Sequence, residues 1–208
     1  MTTVMRDPFD ESPLTLLPKE VSGEVRLITD AQHLRTVVYD GLLRAAVSVD
    51  IATADLKAML VPEPGVKLGR RQDPPSIVQR LVRLAERGVE VRLLHAGVPS
   101  RYALRDLKKA CGKGGLPPNL TLRRCPRLHA KAVIIDADRM YLGSANLTGA
   151  GLGAKAEANR NHEIGVWTQS PDLIDAVSQY FNRLWEGGCC EGCGRRDVCP
   201  VPLEEPRL

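Results

Sequence analysis

LHAKAVIIDADRMYLGSAN, residues 128–146, decides the fold and raises the question of function together. Its apolar positions read as two strands, 128–136 and 140–143, joined through a DADR turn. Strand side chains alternate faces. His129 and Lys131 therefore share one face, while Ala130, Ala132 and Ile134 share the other. Asp136 has the opposite parity from His129, which suits a residue that orders the turn or supports the site from behind. Gly143 permits close backbone approach, and Ser144 and Asn146 place a hydroxyl and an amide beside the strand pair. Packing alone does not require this polar set. An imidazole can attack phosphorus or shuttle a proton near neutral pH. A lysine and neutral donors can hold the oxygens of an anionic phosphodiester as charge develops.

Outward from this stretch, strand-like and helical patterns alternate. Residues 24–29, 47–53, 89–94, 120–123 and 163–168 read as strands. Helical spacing runs over 31–46, 76–87, 98–110 and 171–185. Gly88 stands at a helix stop. Residues 61–75 and 112–118, rich in Pro, Gly and charge, read as loops. The alternation predicts an α/β sandwich: a mixed β-sheet flanked by helices, with a small Cys-rich tail. The expected division is a leader over 1–21, a catalytic domain over 22–186 and a metal-binding tail over 187–208.

Composition bounds the function. The 208 residues are 43% apolar and 26% charged, which is ordinary for one folded domain. A net charge of +4 permits a polyanionic partner without demanding one. Aromatics at 4% argue against a base-stacking platform for single strands. No apolar signal segment opens the chain and no run is long enough to span a bilayer, so the expected compartment is the cytoplasm.

The full pattern is HxKx4D followed by GSxN: His129, Lys131, Asp136, Gly143, Ser144, Asn146. It resembles the HKD motif of the phospholipase D superfamily, with every motif position filled. IVQRLVRLAERGVEVRLL (77–94) resembles the helix–strand unit that precedes the motif there, and Glu163 in NRNHEIGV resembles the acidic residue that supports the catalytic His. The resemblance spans residues 22–185. It implies attack of a histidine on phosphorus, protonation of the leaving oxygen by a second HKD histidine, and no cofactor for the chemistry. This chain has one such motif; His33, His95 and His162 lack its context. The second histidine would then come from a homodimer. Small single-motif members of the superfamily are mostly nucleases or nuclease-like. The expected function is a nuclease, with DNA favoured over RNA as partner, no membrane, and room for partner proteins of a repair or defence complex. Arg123, Arg124, Arg127 and Arg160 are candidate phosphate contacts. The alternatives are a phospholipid phosphodiesterase and a non-cleaving nucleic-acid binder or redox sensor.

Six cysteines are unevenly placed. Cys189, Cys190, Cys193 and Cys199 crowd into CCEGCGRRDVCP and are the expected metal ligands, with Cys125 or Cys111 as an alternative fourth ligand. The spacing from Cys190 onward resembles an iron–sulfur staple of some CRISPR-associated and recombination nucleases, in which one cysteine lies far upstream. That resemblance favours a structural [4Fe–4S] cluster over zinc.

Overall fold

The computed structural model describes residues 22–62 and 73–199. The expected leader over 1–21 lies outside the described residues, as do 63–72 of the expected loop and 200–208 of the tail. Seven strands form one sheet: β1 Val25–Thr29, β2 Ser48–Thr53, β3 Glu90–His95, β4 Leu120–Arg124, β5 Ala132–Ile135, β6 Arg139–Gly143 and β7 Ile164–Thr168. Their order is β1-β7-β6-β5-β2-β3-β4. β2, β3 and β4 run parallel, and the remaining neighbours are antiparallel. The sheet is mixed, as its sequence pattern predicts.

Parallel pairing requires crossovers, and two amphipathic helices supply them. Helix α1, Ile77–Glu86, joins β2 to β3, and α2, Arg101–Cys111, joins β3 to β4. Ser76 opens α1 with a capping box: its hydroxyl accepts from the Gln79 amide while the Gln79 side chain accepts from the Ser76 amide. Ser100 caps α2 by accepting from the Ala103 amide. Period-two alternation then divides the core. Val49, Ile51, Val91, Leu93, Leu122, Val133 and Ile135 face α1 and α2. Ala52, Leu94 and Ala132 face Phe181 and Trp185 of α3, Pro171–Trp185, on the other side. Asp50 and Arg92 point to that same side. The guanidinium forks onto the carboxylate at 2.6 Å through both Nε and a terminal nitrogen, and it stacks 5.1 Å from the Phe181 ring centre.

Two elements depart from the sequence pattern. Residues 31–46 do not form one helix. A π-helical turn spans Leu34–Tyr39 and a 3-10 turn spans Leu42–Arg44, with a break at Gly41. A β-carbon at Gly41 would lie 2.7 Å from the Trp167 ring and 2.8 Å from Ile135 Cδ1, so the chain must change direction where it crosses the sheet. The second departure is β5. The strand expected over 128–136 is ordered as a ladder only over Ala132–Ile135. His129 and Lys131 precede it, tied on by the Gly143 amide donating to the Lys131 carbonyl at 3.1 Å.

The hairpin β5–β6 turns on Asp136 and Ala137, both at positive φ (51° and 53°), with the Asp138 amide donating to the Ile135 carbonyl at 3.1 Å. Two consecutive left-handed residues make a type I′ turn, whose twist matches the strands it joins.

Candidate active site

Strand register gathers the polar groups at one edge of the sheet. Ala52, at the end of β2, lies opposite Ala132, at the start of β5. Ala132 lies opposite Leu142, and Gly143 lies opposite Gly165. The ends of β2 and β6 and the beginnings of β5 and β7 therefore meet. Thr53, Lys131, Ser144, Asn146 and Glu163 follow from that meeting. Asp136 sits at the other end of the same strand pair.

His129 is exposed and Lys131 is 8% exposed. The Lys131 ammonium donates to the His129 carbonyl at 2.8 Å and stands 3.1 Å from Nε2 and 3.3 Å from Nδ1 of the imidazole. The aliphatic stem of the lysine is thus buried while its charge is delivered to the ring of the exposed histidine. This pair leaves a nucleophilic nitrogen and a cation on one accessible point.

Asn146 is anchored from below. Its side-chain oxygen accepts from the Ala54 amide at 3.0 Å and the Asp55 amide at 3.1 Å. With the oxygen so used, the amide NH2 is the end left to donate to a ligand. Thr53 also accepts from the Leu147 amide at 2.9 Å and donates to the Asp55 carbonyl at 2.8 Å, fixing the loop that carries Asn146. Thr53 was not singled out from sequence. Its signal was a hydroxyl closing the alternating run VSVDIAT.

Ser144 and Glu163 differ from expectation. The Ser144 hydroxyl donates to the Glu163 carboxylate and accepts from the Ile164 amide at 3.1 Å. Its proton is therefore directed at a carboxylate rather than toward a ligand. The second Glu163 oxygen accepts from the Asn161 amide at 3.0 Å, and the Glu163 backbone amide donates to Asp30 at 3.0 Å. Among the described residues Glu163 makes no hydrogen bond to His129; its oxygens meet Ser144 and Asn161 instead. Gly143 serves close packing: a β-carbon there would lie 2.5 Å from the Tyr141 hydroxyl and 2.6 Å from Gly165 Cα. The Tyr141 hydroxyl in turn accepts from the Ala145 amide at 2.9 Å, and burial pushes this phenol up to about 12.

Asp136 accepts from three consecutive amides, Ala46, Val47 and Ser48, at 2.7–3.1 Å. Burial alone would raise its carboxyl, but the three amides, with Arg139 nearby, hold it below the ordinary carboxylate value.

The four arginines separate. Arg123 donates to the Trp185 carbonyl at 2.7 Å and stacks over the Trp185 ring at 4.6 Å, and Arg124 donates to the Ala96 carbonyl at 3.1 Å. Both are tied to the fold and do not converge on His129. Arg160 donates to the Lys155 carbonyl at 2.5 Å. Arg127 lines a separate pocket with Cys125, Cys189, Cys190, Cys193 and Cys199. Cys111, at the end of α2, is not among that pocket's lining residues. His162 is exposed, 3.8 Å from the Asp30 carboxylate.

With this geometry in place the comparisons fall into line. The family model described as "Cardiolipin synthase, PLD-like domain" matches residues 38–185, and the chain belongs to that PLD-like family, part of a superfamily of phosphodiesterases. No curated protein matches by sequence. Among solved structures, the chain is similar to Nuc from Salmonella typhimurium, a phospholipase D family member. The TM-score is 0.54 at 16% identity, covering 90% of this chain and 100% of that one. It is also similar to NucT from Helicobacter pylori, with TM-score 0.55 at 18% identity, covering 79% and 97%. Identities this low establish the shared fold. Among the described residues no helix is long and apolar enough to cross a membrane.

Proposed function

We propose that the chain is a nuclease that cleaves DNA phosphodiester bonds through a phosphohistidine intermediate, at a site completed by a second copy. The single observation that carries this reading is the exposed His129 ring with the Lys131 ammonium 3.1 Å from Nε2. The anchored Asn146 amide adds a neutral donor at the same sheet edge.

The His129 lone pair attacks phosphorus and forms a P–N bond as the P–O bond breaks. The departing oxygen takes a proton from His129 of the partner subunit. Water then attacks the phosphohistidine, gives its proton to the partner's His129 and releases His129 with the lone pair it began with. Lys131 and the Asn146 amide hold the non-bridging oxygens while charge builds on them. Ser144 and Glu163 position the 143–146 loop. Asp136 sets the far end of the hairpin and touches no substrate.

Support for nucleic acid over lipid is the single HKD motif, which resembles the nuclease-like branch of the superfamily. The test is cleavage of labelled single- and double-stranded DNA and RNA in excess EDTA by the wild type and by His129→Ala. Cleavage of DNA lost in the variant supports the proposal. Release of a headgroup from phospholipid vesicles with no cleavage of any nucleic acid would replace it with the lipid reading.

A further inference from the structure

The cysteine pocket lies outside the site just described, and the phosphodiester chemistry makes no use of it. Its cavity of about 170 Å³ is lined by thiols from two distant parts of the chain. Cys125 opens the turn after β4 and is held firmly: its amide donates to the His95 carbonyl at 2.8 Å, and its carbonyl accepts from the Leu128 amide at 2.9 Å. Opposite it, the tail presents Cys190 and Cys193 across a turn closed by the Cys193 amide on the Cys190 carbonyl at 3.3 Å. Cys199 arrives on a second turn, with its amide on the Arg196 carbonyl at 3.3 Å.

The described part of the tail has no core of its own. Over 187–199 there is no helix, no strand and no buried side chain, and its one large apolar residue, Val198, is 46% exposed. A segment without a core needs a crosslink or a metal to stay ordered. No disulfide joins any of the six cysteines, so none supplies one. The thiols are gathered but not drawn fully together: among the described residues no three His, Cys, Asp or Glu groups meet as a formed metal shell.

We propose that Cys125, Cys190, Cys193 and Cys199 form a four-thiolate site for a thiophilic metal centre, a zinc ion or an iron–sulfur cluster, that pins the tail to the loop leading into His129. Both centres take four cysteine sulfurs, and metal–sulfur bonds of about 2.3 Å would supply the remaining closure. Three arginines that line the pocket, Arg127, Arg195 and Arg196, offset the negative charge of four thiolates around a divalent ion. Cys189 is set apart by its position next to Cys190, since neighbouring side chains diverge. The site thus differs from the tail-only set: Cys125 replaces Cys189, and Cys111 takes no part. Only Pro126, Arg127 and Leu128 separate Cys125 from His129, so the centre would also brace the chain entering the active site.

The proposal does not rest on the nuclease reading, and its test reads metal rather than cleavage. The full chain is purified anaerobically without a metal-affinity column, and zinc, iron and acid-labile sulfide are counted per chain. One zinc with no visible colour identifies the ion. About four irons and four sulfides with broad visible absorbance identify the cluster. Either supports the site. Cys125→Ser and Cys199→Ser should each lower the metal content at least about tenfold, while Cys111→Ser and Cys189→Ser keep it. Thiol labelling of the wild type guards against variants that fail to fold: four of the six cysteines should be protected until the metal is stripped. A wild type that stays metal-free after incubation with zinc alone, or with iron and sulfide, overturns the proposal. So does full metal content in Cys125→Ser.

Discussion

The two ends of the β5–β6 hairpin carry residues of one motif and do opposite work. At one end His129 is exposed, with the Lys131 ammonium against it. At the other end Asp136 turns its carboxylate inward onto the amides of Ala46, Val47 and Ser48. The same short sequence supplies an exposed reactive ring and a half-buried anchor for the strand that follows it. The lesson is that a motif records two demands at once, chemistry at one edge of the sheet and registry at the other. Substitutions should separate them into different measurements.

The largest effect belongs to the open end. His129→Ala should abolish cleavage by about 10⁴-fold or more, as loss of a nucleophile does. Because the side chain is exposed, urea unfolding should move by no more than about 0.5 kcal/mol. Equal losses of activity and stability would break the comparison. Lys131→Met comes next. It keeps the buried stem and removes the charge, so kcat should fall by about 10²–10³-fold, the scale of losing one transition-state donor. A change confined to KM would show that Lys131 binds substrate without favouring its transition state.

At the anchored end the readout switches. Asp136→Ala should cost about 2–3 kcal/mol of unfolding free energy, because it strips acceptors from three backbone amides. Cleavage per folded molecule should stay within a few-fold. The pH dependence follows in sign. The folded carboxyl titrates below its unfolded value, so its stabilisation is present above that unfolded value, near 3.8, and is lost as pH falls through the depressed folded value. The wild type should therefore lose stability on acidification more steeply than Asp136→Ala, as followed by urea midpoints across the acid range. Parallel acid profiles would mean that the three amides are not what holds Asp136 charged.

How much of this was legible in the sequence divides along the same line. Periodicity placed α3 at Pro171–Trp185, because it is a local consequence of backbone geometry. The meeting of the Lys131 ammonium with the His129 ring is not one, since both residues precede the strand whose alternation suggested a shared face. The break at Gly41 was not legible, because it answers to Trp167 and Ile135, which arrive from distant strands. Nor was the partner of Ser144: nothing local says that its hydroxyl meets Glu163, nineteen positions on. The arginines show the same limit. A basic run before a histidine reads as a phosphate cradle, and nothing local says that Arg123 and Arg124 each spend a donor on the carbonyls of Trp185 and Ala96. Donors and acceptors brought together by folding are invisible until the sheet order is known, whereas alternation along one strand is not.

The smallest effect sits at the anchored end, in the turn itself. Ala137 holds φ 53° as the second central residue of the type I′ turn, a conformation that disfavours a β-carbon. Its neighbour Asp136, at φ 51°, meets the same demand with a residue type that tolerates it and is held there by three amides. Ala137 has no such compensation. Ala137→Gly removes the clash but also loosens the unfolded chain, and these oppose each other. The clash, about 1–2 kcal/mol, exceeds the entropy lost, about 0.4–1 kcal/mol. The variant should therefore be more stable by about 0.5–1 kcal/mol in urea, with cleavage unchanged because His129 lies at the far end. A destabilised Ala137→Gly would show that the turn is not the strained element. A stabilised variant with altered cleavage would show that the anchored end reaches the reactive one, which the separation of the two rules out.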